Sequence, residues 1–132
     1  MSGNKKVLIL SGPTHEYFDP VRFIGNASSG KMGKALAEEA LKRGMDVEFI
    51  SGPVPAENLP GEACITRVTS AEEMLAAAKE KFASADLIIF AAAVADFQPL
   101  EKLDEKFPKV GKNISIQLKP TTKNLLFILS IV

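Results

Sequence analysis

The sequence predicts an α/β protein with a Rossmann-like, doubly wound, mainly parallel sheet and helices on both faces, in three αβα layers. Runs made only of apolar residues, at 7–10 and 87–90, are typical of central strands buried on both faces. Between them lie segments with apolar residues at three- and four-residue spacing, as expected of amphipathic helices. Strands that alternate with helices favour right-handed crossovers, and the ligand site of such a sheet lies beyond the carboxyl ends of its strands.

Composition limits the class of protein. The chain has 132 residues, enough for one domain with its own core. Its 16 basic and 16 acidic side chains cancel, so the overall charge attracts neither nucleic acid nor an anionic membrane. The apolar run 87–95 is much shorter than the about 20 residues of a membrane helix, and no signal peptide precedes the first strand. We therefore expect a cytoplasmic protein that binds neither nucleic acid nor membrane.

The chain has a single cysteine and a single histidine, which exclude an internal disulfide and a metal centre built from several such residues. We therefore expect no metal site made by the protein. Cys64 lies in an alternating apolar stretch and is expected to be a small core residue. His15 lies in the first long loop, where a surface or interface position is favoured over acid–base chemistry.

The first half of the chain is predicted to form a strand, a long connection, a helix and a second strand. The connection, 11–29, is much longer than the usual two to six or so residues, which is typical of functional loops. The helix is expected over about 30–43, with Gly44 at its C-terminus, and the second strand over 47–50. The buried face of the helix is expected to contain Met32, Ala35, Leu36, Ala40 and Leu41.

The second half continues this alternation and then loses it. Ser70 and Glu73 form a capping box, which predicts a helix through Phe82. The other segments are predicted as strands at 63–68 and 87–90, a loop at 97–113, an exposed strand at 114–118, and an apolar tail with a short helix at 124–132.

The stretch 19–33 is the strongest candidate for an anion site. It leads into a helix N-terminus, where backbone N–H groups lack partners and the helix dipole places partial positive charge. Ser28 and Ser29 are expected to cap this helix, and Gly30 leaves room for a phosphate. Neither GxGxxG nor GxxxxGK[ST] is present, so the general phosphate motifs do not assign the stretch.

Polar residues beside this turn could do chemistry. Asn26 offers an amide donor and a carbonyl acceptor to an acyl group, or it is only a turn residue. Asp19 and Arg22 are interpreted equally as a local ion pair or as a substrate or subunit contact. Asp96 follows a run of small residues, where its carboxylate could bind a ribose hydroxyl, a base amine or a metal, or could cap a turn.

Lysines follow Asp96 at positions 102, 106, 109 and 112. Runs of charged side chains usually form a solvent-exposed face of the protein and have no further function. The functional alternative is a lysine on a loop that closes over a phosphate, where its charge would stabilise a transferring group.

Two motifs resemble a known family. The stretch 19–33, DPVRFIGNASSGKMG, and the stretch 91–97, AAAVADF, with Pro99 in step, resemble the signature of phosphopantothenate–cysteine ligase, the phosphopantothenoylcysteine synthetase of coenzyme A biosynthesis. The resemblance covers about 5–125. It implies a single synthetase-like nucleotide-binding domain over 1–132, and it implies a homodimer. Bacterial members are often fused behind an FMN-dependent flavoprotein decarboxylase, which the resemblance therefore implies as a partner.

The resemblance also implies a two-step ligation. The carboxylate of 4′-phosphopantothenate reacts with CTP to give an acyl-cytidylate and pyrophosphate. The amine of cysteine then displaces CMP and forms 4′-phospho-N-pantothenoylcysteine. Mg²⁺ would offset the charge of the triphosphate, and the sequence does not decide between CTP and ATP.

The resemblance implies that residues at matching positions have the roles that they have in the family. Asn26 matches the asparagine that handles the acyl-cytidylate, Arg22 matches an arginine beside it, and Lys106 matches the essential lysine, expected to contact the triphosphate. The positions implied to bind nucleotide are Ser28, Ser29, Gly30, Ala92, Asp96, Lys106 and Lys109.

The chain also departs from the family. The Lys-x-Lys-Lys cluster is only partly kept around Lys106, and 121–124 reads TTKN where the family has Asn-Pro-Asp-Ile. Family synthetase domains run to roughly 200 residues, so the resemblance implies a chain truncated at its C-terminus.

Two other functions stay open. An NAD(P)-binding Rossmann-type domain would have a compact Gly-rich first turn and an acidic residue after the second strand, where this chain has Ser51 and Gly52. A non-catalytic fragment would bind only a ligand or a partner chain.

Overall fold

The protein is built around a parallel sheet flanked by two α-helices. The computed structural model describes residues 4–107 and 111–121. In chain order, their strands and helices are β1 (Lys6–Pro13), β2 (His15–Tyr17), β3 (Phe23–Gly25), α1 (Lys31–Lys42), β4 (Asp46–Ser51), β5 (Cys64–Arg67), α2 (Ala71–Lys81), β6 (Leu87–Ala93), β7 (Phe97–Pro99) and β8 (Leu118–Pro120). The main sheet has the order β5-β4-β1-β6, and every neighbouring pair is parallel. The predicted Rossmann-like α/β class is confirmed.

Alternate residues of β1 pack on opposite faces of this sheet. Val7 and Ile9 pack with Ala37 of α1, whereas Leu8 packs with Met74 of α2. Successive side chains of a strand point to opposite faces, so the two helices cover opposite faces. This arrangement confirms the predicted three αβα layers.

The predicted buried face of α1 is correct at Ala40, which is buried, and at Leu36 and Leu41, which pack against the core, but it is wrong at Met32 and Ala35. Gly33 and Ala37 are buried, whereas Met32 is 69% exposed and Ala35 is exposed. At Gly33 the helix lies so close to β1 that a Cβ atom would collide with the Ser11 side chain. Small residues therefore face the sheet. The three- and four-residue spacing fits the stripe of Gly33, Ala37 and Ala40 as well as the stripe that begins at Met32, so the spacing alone does not show which one is buried.

The start of α2 and the end of α1 lie where the sequence predicts. Ser70 Oγ accepts the N–H of Glu73 at 3.1 Å, and the Glu73 carboxylate accepts the N–H of Ser70 at 2.9 Å, which confirms the capping box. Gly44, with φ +76°, follows α1. The next N–H, of Met45, bonds to Ala40 O at 3.0 Å, as in a Schellman motif.

Two antiparallel hairpins lie in segments predicted mostly as loops. β2 pairs with β3 inside the long connection after β1, and β7 pairs with β8. The exposed strand predicted at 114–118 is wrong in position, because the pairing involves Leu118–Pro120. Strands of three residues are too short to show a period of two. The tail predicted at 124–132 lies outside the described residues.

The expectation that Cys64 is a core residue is wrong, because its side chain is exposed. A hydrogen bond to Glu48, and the negative charge of that carboxylate, raise the pKa of the Cys64 thiol. Glu48 also forms an ion pair with Lys81 at 3.2 Å. A thiol held in its protonated form is a weak nucleophile.

Candidate functional site at the carboxyl edge of the sheet

The carboxyl ends of β1, β4 and β6 form one edge of the sheet, called the carboxyl edge below. Ser11 lies opposite Ser51, and Pro13 lies opposite Ala93. The contact continues past the strands, where the N–H of Thr14 donates to Ala93 O at 3.3 Å. Ligands of open α/β sheets bind at this edge.

The turn before α1 reaches the carboxyl edge and depends on Gly30. This residue has φ +80°, and a Cβ atom on it would lie 2.9 Å from Val54 Cγ1. A side chain would therefore meet both backbone strain and a steric clash. Asn58 Nδ2 donates to Ser29 O at 2.9 Å, which holds the turn against the following loop.

The expected capping by Ser28 and Ser29 is corrected by this geometry. The N-cap residue of α1 is Gly30, which has no side-chain bond to offer. Ser29 Oγ lies one position earlier and accepts the N–H of Lys31 at 3.3 Å. The first turn of α1 contains no acidic residue, so the positive end of its dipole is not offset there.

Asn26 joins the two sequence motifs. Its Nδ2 donates to Ala93 O at 3.1 Å and to Val94 O at 3.3 Å. The stretch 19–33 and the stretch 91–97 therefore meet at the carboxyl edge, with Asn26 exposed at their junction. Of the other predicted positions in the second stretch, Ala92 is half-buried and Asp96 is exposed.

Two buried threonines that the sequence reasoning missed hold the loop 93–96. Thr14 Oγ1 accepts the N–H of Ala95 at 2.9 Å, and Thr121 Oγ1 donates to Ala95 O at 2.6 Å. The N–H of Thr121 donates to Asp96 O at 2.9 Å. A threonine after a strand carries no signal in the sequence that predicts such partners.

Asp19 organises the turn that contains Arg22. Its side chain is 0% exposed, and its Oδ1 accepts the N–H groups of Val21 at 2.8 Å and Arg22 at 2.7 Å. Its Oδ2 accepts from Arg22 Nη1 and from the N–H of Phe107, both at 3.0 Å. The local ion pair predicted for Asp19 and Arg22 is present, and the carboxylate also reaches the lysine-rich segment.

The surroundings of Asp19 keep it ionised. Burial alone would raise its pKa, but the N–H groups of Phe107, Val21 and Arg22, with the charge of the Arg22 guanidinium, lower the pKa to about 2. The carboxylate therefore carries its full charge at neutral pH.

The segment 100–107, called the lysine segment below, packs against the turn between β2 and β3. The N–H of Leu103 donates to Phe18 O at 2.9 Å. The rings of Phe18 and Phe107 meet edge to face at 6.3 Å. Lys106 is exposed beside Phe107, so the structure brings it to the turn of Asp19 and Arg22. Lys109 lies outside the described residues.

Glu16 and His15 have structural contacts that the sequence did not reveal. Buried Glu16 accepts the N–H of Ala71 at 3.0 Å and so ties β2 to the start of α2. The His15 ring stacks on Phe23 at 3.7 Å. Burial lowers the pKa of His15, against the raising effect of Glu16, which favours the neutral ring in this stack.

Residues 4–107 and 111–121 contain no group of three or more His, Cys, Asp or Glu side chains that could hold a metal ion. No helix within the same residues is long and apolar enough to span a bilayer.

Comparison with known proteins gives consistent matches. The family model described as the DNA/pantothenate metabolism flavoprotein C-terminal domain matches residues 2–130. A relative from Bacillus subtilis, the coenzyme A biosynthesis bifunctional protein CoaBC, is 44% identical over 117 residues, which are 89% of this chain and 29% of that protein. A protein of an unknown prokaryote, named cysteine/cysteine sulfinic acid decarboxylase, is 44% identical over 89% of this chain and 33% of its own length. The chain thus spans about a third of these curated relatives.

The fold has matches among solved structures. The crystal structure of the C-terminal domain of CoaBC superimposes with a TM-score of 0.76 at 40% identity. The match covers 97% of this chain and 59% of that domain. On the sequence motifs, the fold and the family match, the chain belongs to the family of the DNA/pantothenate metabolism flavoprotein C-terminal domain.

Proposed function

We propose that this chain is a phosphopantothenate–cysteine ligase domain of coenzyme A biosynthesis. The observation that carries the proposal is the contact of Asn26 with Ala93 and Val94. It unites at one edge of the sheet the two motifs that resemble the ligase signature. The kinship with CoaBC proteins supports the same reaction.

In this proposal the nucleotide is CTP, with ATP as the alternative, and it lies along the carboxyl edge. Its phosphates bind at the turn of Ser28, Ser29 and Gly30, where the α1 dipole favours negative charge. The small side chain of Ala92 lets the nucleotide approach the backbone closely, and the exposed carboxylate of Asp96 accepts from its hydroxyl or amine groups.

The first chemical step activates a poor electrophile. A carboxylate oxygen of 4′-phosphopantothenate attacks the α-phosphorus of CTP, the bond to the β-phosphate oxygen breaks, and pyrophosphate leaves. Charge accumulates on the phosphates in this step, and preorganised cations stabilise it. Lys106 supplies the mobile positive charge in this proposal, Arg22 lies beside the acyl group, and Lys109 contributes a second cation.

The second step forms the amide. The amine of cysteine attacks the acyl carbon, CMP leaves with the electron pair of the broken C–O bond, and the amine loses a proton. Asn26 donates both Nδ2 hydrogens to backbone carbonyls, so its Oδ1 is the atom left to meet a substrate. An acceptor in that position orients the amine N–H for attack.

The residues at the carboxyl edge fit Mg²⁺ only as an ion that is already bound to the nucleotide. Protein sites for Mg²⁺ commonly use one or two carboxylates together with substrate phosphates and water. In this proposal Mg²⁺ would bind the phosphate oxygens and offset the charge of the triphosphate, while Asp96 accepts from the hydroxyl or amine groups of the nucleotide.

The proposed partners include a second copy of the chain and a flavoprotein decarboxylase. The hairpins β2–β3 and β7–β8 contact each other and expose Phe23 (43%), Phe97 (50%) and Leu118 (45%). In this proposal a homodimer covers these exposed apolar side chains. The flavoprotein decarboxylase, fused or separate, would act on the product.

The test is a pyrophosphate-release assay with product detection by mass spectrometry. The protein is incubated with 4′-phosphopantothenate, cysteine, Mg²⁺ and either CTP or ATP. We expect one pyrophosphate for each 4′-phospho-N-pantothenoylcysteine formed. A folded protein that releases none with either nucleotide would be the non-catalytic fragment. Tight binding of NAD(P)H would instead favour the dinucleotide-binding alternative.

A variant separates the two steps. Asn26→Asp adds a charge and removes the donors to Ala93 and Val94, so amide formation should fall more than pyrophosphate release. The matched control, Asn113→Asp, makes the same change at an exposed position and should alter neither. Equal loss of both steps in Asn26→Asp would count against the assigned role.

A further inference from the structure

We propose that Asp19 is a positioning residue that holds the lysine segment, and with it Lys106, against the turn of Arg22. The inference deepens the proposed function and rests on it for the role of Lys106. Its structural part, the anchoring of the segment, rests on contacts alone. Asp19 lies in the first motif, whereas the group that it anchors lies 88 residues further along the chain.

The two oxygens of Asp19 have separate tasks. Among the described residues, Oδ1 accepts only the local N–H groups of Val21 and Arg22, and so it shapes the turn. Oδ2 accepts from the N–H of Phe107 and from Arg22 Nη1, each at 3.0 Å. One oxygen therefore connects the arginine side chain to the backbone next to Lys106.

The connection to Phe107 is strong because it is buried and charge-assisted. Asp19 is 0% exposed, and a hydrogen bond to an ionised acceptor is about twice as strong as one between neutral groups. The Phe18–Phe107 ring contact and the bond from Leu103 N–H to Phe18 O support the same docked position. Lys106 itself is exposed and lies between anchored Leu103 and anchored Phe107, so its backbone is fixed while its ammonium stays available.

The variant Asp19→Asn separates the two tasks. Its carbonyl oxygen can replace Oδ1 and still accept from Val21 and Arg22. Its amide nitrogen then replaces Oδ2 and faces two donors, Arg22 Nη1 and the N–H of Phe107. We therefore expect the turn to persist and the lysine segment to detach.

Hydrogen exchange tests the anchoring without any substrate. In Asp19→Asn, the amides of Leu103 and Phe107 should exchange about tenfold faster or more, as expected for loss of a bond to a charged group. The control Glu39→Gln removes an exposed carboxylate paired with Arg43 and should leave both amides unchanged. Unchanged protection in Asp19→Asn would overturn the proposal.

Pyrophosphate release tests the positioning. Asp19→Asn should slow it about tenfold or more, and adding Lys106→Gln to Asp19→Asn should give no more loss than Lys106→Gln alone. Residues that act through one another are non-additive. Losses that multiply would show that Asp19 acts by a route other than Lys106, such as Arg22 or general structure, and would overturn the positioning of Lys106.

A second pair of variants keeps the test valid if Asp19→Asn unfolds. Phe107→Pro removes the N–H that Asp19 accepts, whereas Phe107→Leu keeps it and removes only the ring. The proline variant should lose pyrophosphate release and the protection of Leu103, and the leucine variant should keep most of both. Equal behaviour of the pair would contradict the inference.

The two proposals fail in different ways. If the wild-type protein releases no pyrophosphate with either nucleotide, the proposed function fails, and with it the role given to Lys106. Hydrogen exchange in Asp19→Asn and Phe107→Pro still decides whether Asp19 anchors the segment.

Discussion

The central sheet and the loops at its carboxyl edge are held together by different forces. In the sheet, β1 buries four consecutive apolar residues, 7–10, between two helices. At the carboxyl edge, Thr14, Asp19 and Thr121 are buried polar residues, and each accepts or donates hydrogen bonds across the loops. Burial of apolar surface does not depend on direction, whereas each of these hydrogen bonds holds a particular backbone N–H or C=O group in place.

This difference suits the placement of the proposed site groups on the less regular part of the molecule. Binding and catalytic residues must be placed to within a fraction of an ångström by a rigid support. The sheet supplies the support, and the buried polar side chains hold the loops that carry the proposed site residues Asn26, Asp96 and Lys106. Substitutions in the two regions should therefore differ in size and in kind.

The largest effect is expected in the sheet. Phe49 of β4 is 1% exposed and packs with core residues of β1 and α1, so Phe49→Ala should lower the free energy of unfolding by about 3–5 kcal/mol. Denaturant unfolding measures the change. The control is Met32→Ala, because Met32 is 69% exposed and should cost much less. Similar costs at both positions would contradict the assigned core.

A smaller and more local loss is expected at the carboxyl edge. Thr14→Val keeps the shape of the side chain and removes the acceptor for the N–H of Ala95. A buried donor left unsatisfied costs about 1–3 kcal/mol. In the variant, the amide of Ala95 should therefore exchange faster than in the wild type, whereas the amides of β4 should not. Thr66→Val, at a half-buried position on β5, is the control. If Ala95 keeps its protection, Thr14 does not hold this loop.

The next effect depends on pH. The pKa of Asp19 falls from an ordinary 3.8 to about 2 in the folded protein, so the folded state binds fewer protons than the unfolded state between these values. The stabilisation is complete above about pH 4 and is lost as the pH falls through about 2. Unfolding curves of the wild type and Asp19→Asn should therefore converge between pH 4 and pH 2. A constant difference over this range would contradict the assigned environment.

The smallest effect is expected where a polar group lies in the sheet. Ser11 is buried, and its Oγ has no hydrogen-bond partner among the described residues. Ser11→Ala removes a hydroxyl that gains nothing in the folded state, so stability should stay the same or rise by less than about 1 kcal/mol. Thermal unfolding checks this. A clear loss of stability would mean that the hydroxyl has a partner, and the contrast between the two regions would weaken.

The sequence predicted the regular part of the fold because that part leaves a repeating signal. The apolar strands, the capping box of Ser70 and Glu73, and the glycine after α1 act through neighbours in the chain. The family motifs also drew attention to Asn26 and to the stretch 91–97, but their contact is a finding of the structure. The ion pair of Asp19 with Arg22 was one of two interpretations that the sequence left open, and the structure contains it.

The remainder could not be predicted, because it depends on pairs that are distant in sequence. Asp19 meets Phe107, Thr14 meets Ala95, and Glu16 meets Ala71 only after the chain has folded. None of these pairs has a period or a motif. The short strands β7 and β8 were missed or displaced for a similar reason, since three residues cannot show alternation.

One measurement tests the proposed ligase most directly: the detection of the acyl-nucleotide in the absence of cysteine. The protein is mixed with 4′-phosphopantothenate, CTP and Mg²⁺, quenched, and analysed by mass spectrometry and ³¹P NMR. We expect pyrophosphate and a phosphopantothenoyl-cytidylate, and the latter should convert to 4′-phospho-N-pantothenoylcysteine and CMP when cysteine is added. Intact CTP, and likewise intact ATP, in the presence of a folded protein would contradict the proposed function.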